Sequence, residues 1–423
     1  MTIESIYSKY LGCSEICTDT RQISKDCLFF ALKGENFNGN KFADDALSKG
    51  AKYVIVDEKE FATTPFHLLV DDVLTYLQEL AKHHRQQLSI PIIGLTGSNG
   101  KTTTKELIHS VLKEKFKVFA TKGNLNNHIG VPISILSIKK EHEMAIIEMG
   151  ANHQKEIEFL CSISQPDFGV ITNIGKAHLE GFGGEEGVKK GKKELYDYIK
   201  KNHKHIFINK SDEALNSISD GIHQIGYGKG TQINGEVIEG EEFLTFDLTV
   251  HHHSKRVKTH LIGNYNLPNA LCAAAIGYEF GLSFEQICNG LENYQPDNNR
   301  SELRKTENNT LILDAYNANP SSMKAALDNF SKHTEDKLAI LGDMFELGES
   351  SQVEHQEISD YAEKLGVKCI FVGKYFSETN TYSDTFENTQ ELVEYLEENP
   401  IKNTLVLIKG SRGMKLEQLI PLL

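Results

Sequence analysis

Lys101 and Thr102 stand directly after the glycine-bracketed turn Gly97-Ser98-Asn99-Gly100. A cation, a hydroxyl and backbone N–H groups exposed by glycine are what a phosphate chain needs. Lys101 can meet the outer phosphate oxygens and Thr102 can place its hydroxyl on Mg²⁺. The positive end of a following helix then faces the remaining charge. The general pattern of such loops has another glycine six residues before the lysine, and here Leu95 holds that place. Gly97, Ser98, Asn99, Gly100, Lys101, Thr102 and Thr103 are the candidate nucleotide-binding residues. The elements that must position them are legible on either side. The apolar run Ile90 to Leu95 reads as a buried strand, and Leu107, Ile108, Val111 and Leu112 give helical spacing over Lys105 to Lys113.

A second group lies downstream. Glu148 closes the apolar stretch Ala145-Ile146-Ile147, and a carboxylate at the end of a strand after a phosphate loop is where Mg²⁺ is commonly held. The string Thr172-Asn173-Ile174-Gly175-Lys176-Ala177-His178 ends the next strand. The segment Gly123 to Pro132 carries Asn124, Asn126 and Asn127 and reads as a turn after a strand. Lys189, Lys190, Lys192 and Lys193 read as a basic helix face. His251-His252-His253 lies between two alternating strands; adjacent strand residues point to opposite faces, so the three read as a surface turn and not as a metal site.

These segments sit in a chain of 423 residues, long enough for two or three cores. Strand-like runs alternate with helical ones, the pattern of an α/β protein built on mostly parallel sheets. Three blocks are expected: a small α/β unit over 1–87, a central P-loop ATPase-like unit over 88–298, and a Rossmann-like unit over 299–423. The last carries strands at Leu311–Leu313, Leu338–Leu341, Cys369–Val372 and Leu405–Ile408, with a helix after each, the final one over Lys415 to Ile420. His83 to Gln87 reads as the exposed end of the helix linking the first two blocks. A net charge of −14 argues against a nucleic-acid binder. No apolar run reaches the ~18 residues of a membrane span, and the N-terminus lacks the order of a signal peptide. Seven scattered cysteines read as reduced thiols, and a cytoplasmic, monomeric protein is expected.

In order along the chain, Thr18-Asp19-Thr20-Arg21, Leu28 to Gly34, Asn38-Gly39-Asn40, the phosphate loop and Gly123 to Pro132 resemble the Mur ligase family. So do the strings Thr172 to His178, Lys192 to Leu195, Gly263 to Asn269, Asn299-Arg300-Ser301, Asp314 to Ser321, Gly342 to Gly348 and Lys409 to Gly413. The resemblance runs from Thr18 to Met414; the short loop is also similar to that of folylpolyglutamate synthetases. It implies an ATP- and Mg²⁺-dependent ligase of peptidoglycan precursor synthesis. Within the family, Tyr316-Asn317-Ala318-Asn319-Pro320 and Gly342-Asp343-Met344-Phe345-Glu346-Leu347-Gly348 imply addition of D-alanyl-D-alanine to UDP-MurNAc-tripeptide through an acyl phosphate.

Residue by residue, the resemblance implies Lys101, Glu148, His178 and Lys192 for catalysis, with Thr102, Glu148, His178 and Lys192 around metal. Lys192 would carry a carbamate; its frame Lys-x-x-Leu selects it over Lys189, Lys190 and Lys193. Asn269, Arg300 and Asp314 would meet the nucleotide. Thr20, Arg21, Asn38 and Gly39 would meet the UDP end of the substrate, Asn124 and Asn127 the region near peptide and phosphates, and Asn317 and Asn319 the incoming dipeptide. The chain departs from the family pattern at Lys155, where glycine is usual, and at Tyr265, where histidine is usual; nothing is carried over to Tyr265. Two alternatives stay open: a neighbouring ligase with another acceptor, and a non-catalytic ATP-binding regulator on the same fold.

Overall fold

A computed structural model describes residues 1–296, 302–381 and 383–423. The first unit holds four short parallel strands in the order Ile16–Cys17, Leu28–Phe30, Tyr53–Val56 and His67–Leu69. The small hairpin Lys33–Gly34 with Phe37–Asn38 projects from it.

The central unit is a six-stranded, wholly parallel sheet in the spatial order His223–Tyr227, His205–Asn209, Phe168–Ile171, Ile92–Thr96, Met144–Glu148, Val118–Ala120. Such sheets are covered on both faces, which is why these strands are near-continuous apolar runs. The chain leaves the middle strand Ile92–Thr96 first to one side and later to the other. That reversal opens a crevice beyond the C-terminal strand ends. The ends of three adjacent strands thereby deliver the phosphate loop, Glu148 and the Thr172–His178 string to one place. Helix Lys101–Leu112 starts at Lys101 itself, four residues ahead of the spacing signal, because Gly100 caps it at φ +74°. A three-stranded antiparallel sheet, Ile233–Val237, Thr245–Val250 and His253–Lys258, is appended. It contains the expected hairpin, with His251 and His252 in its exposed turn.

The third unit is a six-stranded sheet in the order Glu302–Lys305, Thr310–Asp314, Leu405–Lys409, Lys337–Gly342, Cys369–Val372 and Asp384–Phe386. The four expected strands form its middle. The two edge strands carry no apolar signal in the sequence, since they are short and mostly polar. The closing segment is a 3-10 turn, Leu416–Leu422, and not an α-helix: Lys415 enters it at φ +56° and Pro421 interrupts it.

The linking helix, Val73–Gln87, differs most from its expectation. His84 and Arg85 are buried, Arg85 with 8 % of its surface exposed. Arg85 donates to the carbonyls of Ser164, Gln165 and Leu88 and pairs with Asp167 at 2.9 Å. His84 Nε2 meets Ile138 O at 2.9 Å. A buried guanidinium of this kind needs all of its donors satisfied, and the central unit satisfies them. At Lys155 the backbone keeps the left-handed conformation that glycine favours, φ +72°, with its N–H on Glu194 Oε1 at 2.6 Å. No helix among the described residues is long and apolar enough to cross a membrane.

Candidate functional site

A cavity of about 890 Å³ lies between the central and third units. Its wall includes Ser98 to Thr103, Asn124, Asn126, Asn127, Glu148, His178, Asn269, Asp314, Asn317, Asn319 and Lys409. The expected nucleotide, metal and dipeptide residues of these two units thus converge, with three exceptions. Gly97 does not line the cavity, Lys192 is buried beneath the wall, and Arg300 lies outside the described residues.

The phosphate loop is held by the string that leads to His178. Ser98 N–H donates to Asn173 O at 3.1 Å, and Asn99 N–H to Asn173 Oδ1 at 3.0 Å. Thr172 Oγ1 donates to Asn99 O at 2.6 Å, and Ser98 Oγ to Gly175 O at 3.0 Å. Gly97, at φ +148°, admits this approach: a Cβ there would lie 1.9 Å from Thr172 Oγ1. Lys101 Nζ donates to Gly97 O at 2.8 Å. Asn269 packs against Gly100, where an added Cβ would come within 3.0 Å of its amide.

Glu148 is 2 % exposed. It accepts from Thr102 Oγ1 at 3.1 Å and from Asn126 Nδ2 at 2.8 Å, and the buried Lys105 Nζ stands 3.9 Å away. A buried carboxylate requires such compensation. The sequence assigns no site role to Asn126 or Lys105; only their place in the folded loop and helix reveals it. Thr102 and Glu148 together offer hard oxygen donors of the kind Mg²⁺ takes. His178 Nδ1 lies 2.5 Å from Glu346 Oε2 of the third unit. That hydrogen bond holds the Glu346 carboxyl below its usual range.

Of the four lysines in the basic run, Lys192 alone is fully buried. Its Nζ lies 3.4 Å from Ala151 O and 5.0 Å above the Phe182 ring. Burial, reinforced by the positive charge of Lys101, pushes its amine well below the usual lysine range. Lys193 instead pairs with Asp197 at the surface.

In the third unit, Asp314 is held by Lys409 Nζ at 2.6 Å. Asn317 is exposed and its Oδ1 accepts from Ala318 N–H. Asn319 caps helix Pro320–Ser331 through Ser322 and donates to Asn99 Oδ1 at 2.7 Å. Lys176 adds two more bonds between the units, its N–H to Ser321 Oγ and its Nζ to Glu354 at 2.5 Å.

The first-unit candidates are placed elsewhere. Thr20, Arg21, Asn38 and Gly39 do not line this cavity. Arg21 pairs with Asp19 on the surface, and Asn38 donates to Glu58 at 3.0 Å. Gly39 lets its loop press against Leu32, whose carbonyl oxygen would lie 2.4 Å from an added Cβ.

Comparison with known proteins agrees along the chain. Family models match as the Mur ligase family catalytic domain over 13–85, the Mur ligase middle domain over 95–277, and the Mur ligase glutamate ligase domain over 299–412. The UDP-N-acetylmuramoyl-tripeptide–D-alanyl-D-alanine ligase of Bacillus subtilis is 36 % identical over 96 % of this chain and 92 % of its own length. The Escherichia coli ligase of the same name is 34 % identical with the same coverage. A crystal structure of MurF from Acinetobacter baumannii shares 31 % identity at a TM-score of 0.86, covering 99 % of this chain and 98 % of that one. MurF from Thermotoga maritima, solved with ADP, shares 26 % identity at a TM-score of 0.86, covering 98 % and 97 %. Matched in all three of its units and over nearly its whole length, the chain belongs to the Mur ligase family.

Proposed function

We propose that the chain is the ATP-dependent ligase that joins D-alanyl-D-alanine to UDP-MurNAc-tripeptide, a step of peptidoglycan precursor synthesis. One observation carries this reading: the phosphate loop, Glu148 and His178 share a cavity with Asp314, Asn317 and Asn319 of the third unit. Its extents are 1–87 for UDP-substrate binding, 88–298 for ATP and 299–423 for the dipeptide. The need for ATP places it in the cytoplasm, where free thiols persist. A monomer is the assembly assigned to it.

A carboxylate is a poor electrophile, so the γ-phosphoryl group of ATP is first passed to the carboxylate at the end of the tripeptide. The dipeptide amine attacks the resulting acyl phosphate, the new C–N bond forms as the C–O bond breaks, and phosphate leaves. The loop N–H groups and Lys101 stabilise charge on the phosphate oxygens. Mg²⁺, when bound by Thr102 and Glu148 with His178 nearby, would neutralise further phosphate charge. Asn269 and Asp314 are assigned to the nucleotide, Asn124 and Asn127 to the substrate beside the phosphates, and Asn317 and Asn319 to the dipeptide. Thr20, Arg21, Asn38 and Gly39 are assigned to the UDP end, away from the reacting atoms.

Lys192 is assigned as a carbamate. The neutral amine favoured by its burial is the form that attacks CO₂; the N–C bond forms and a proton is released. The product is an anion under the cavity wall, able to support the metal.

The test is phosphate release by the purified protein with Mg-ATP and UDP-MurNAc-tripeptide, with and without D-alanyl-D-alanine. Release that requires the dipeptide, with a UDP-pentapeptide product by mass, is expected. Turnover only with a single amino acid and a shorter UDP-peptide would overturn the acceptor assignment in favour of a neighbouring ligase. Silence with every acceptor despite ATP binding would favour a regulator.

A further inference from the structure

We propose that Glu346 is a positioning residue for His178, forming with it a carboxylate–histidine pair that fixes the imidazole only when the third unit is docked on the ATP site. The inference rests on the ligase reading above. The two residues are 168 positions apart and meet at 2.5 Å through Nδ1 and Oε2. A neutral imidazole has one N–H. A carboxylate beside Nδ1 takes that N–H and leaves Nε2 with the lone pair, the state a ring needs to face an electropositive centre.

Both partners are non-glycine residues in the left-handed region, His178 at φ +54° and Glu346 at φ +63°. Conformations of this kind persist where the surroundings over-determine them, and they concentrate at functional sites. The surroundings here are explicit. Glu180 N–H donates to Glu346 O at 3.2 Å, tying the two loops backbone to backbone. Behind Glu346 the segment is pinned at successive residues. Asp343 accepts the N–H groups of Tyr375 and Phe376. Met344 N–H donates to His355 Nε2 at 3.0 Å, and Phe345 N–H to Ser411 Oγ at 2.9 Å. His355 is fully buried, and its Nδ1 meets Ser351 O at 2.7 Å, so its own tautomer is set. This scaffolding aims one half-exposed carboxylate at one ring nitrogen of the other unit. A simple surface ion pair would need none of it.

The experiment uses the full chain, labelled with ¹⁵N-histidine and free of metal, with the His178 signals assigned by their loss in His178→Asn. Wild type is expected to show a protonated Nδ1 and an unprotonated Nε2. Glu346→Ala is expected to give averaged tautomers and to raise the Mg²⁺ concentration for half-maximal phosphate release about tenfold or more. Glu346→Gln keeps an acceptor oxygen and is expected to retain the tautomer with a smaller rise. Unchanged His178 signals in Glu346→Ala, or an unprotonated Nδ1 in wild type, would overturn the pairing. Failure of the ligase reading is distinct: wild type itself would make no UDP-pentapeptide, whatever the histidine signals show.

Discussion

Asn319, the cap of a third-unit helix, donates from Nδ2 to Oδ1 of Asn99 in the phosphate loop at 2.7 Å. The same side chain therefore starts helix Pro320–Ser331 and reports the shape of the ATP loop to the unit assigned to the dipeptide. Asn319→Asp keeps the capping oxygen and loses the donor. Thermal stability is expected to stay near wild type. Dipeptide-dependent phosphate release should fall about fivefold, the equivalent of one net hydrogen bond of ~1 kcal/mol. An unchanged rate at unchanged stability would show that only the cap matters.

Lys101 carries the charge side of the phosphate loop. Lys101→Met preserves length and the start of helix Lys101–Leu112 and removes the cation. Phosphate release is expected to fall by at least about a hundredfold, as for the loss of a charge-stabilising donor. Near-normal turnover would remove the phosphate-loop assignment.

Gly97→Ala tests the closeness of the loop to Thr172. The new methyl would meet Thr172 Oγ1, and the φ of +148° is one that alanine avoids. The local cost is about 1–3 kcal/mol, and it should be read first as weakened ATP binding in a calorimetric titration. Tight binding in the variant would mean that the Thr172 brace yields freely.

Lys192→Ala should lose activity that high bicarbonate cannot restore, while a small carboxylic acid restores part of it. Native mass spectrometry of the wild type should show the added mass of one CO₂. An active protein with an unmodified Lys192 would sink the carbamate.

The sequence shows the strand ends of the candidate site because each carries its own local signal, glycines before a lysine and an apolar run closed by Glu148, while Lys192, inside helix Glu185–Lys201, is found only through the family frame closed by Leu195. What it hides is long-range. Arg85 looks like a solvated helix end because its carbonyl and carboxylate partners lie about eighty residues later. Glu346 sits in the recognisable string Gly342 to Gly348, yet its proposed role depends on His178 in another unit. Asn126 and Lys105 become visible only when loop and helix fold onto Glu148. The edge strands Glu302–Lys305 and Asp384–Phe386 escape notice because edges need not be apolar.

The linking helix is fastened along its length, not only at Arg85. Gln78 donates to His128 O at 3.0 Å, and Tyr10 of the first unit donates to Leu136 O at 2.5 Å. Heat should therefore melt the first two units together, in one calorimetric transition whose enthalpy reflects both. The third unit, tied to them around a cavity, is free to contribute a transition of its own. In thermal terms the chain is two cooperative blocks made from three units.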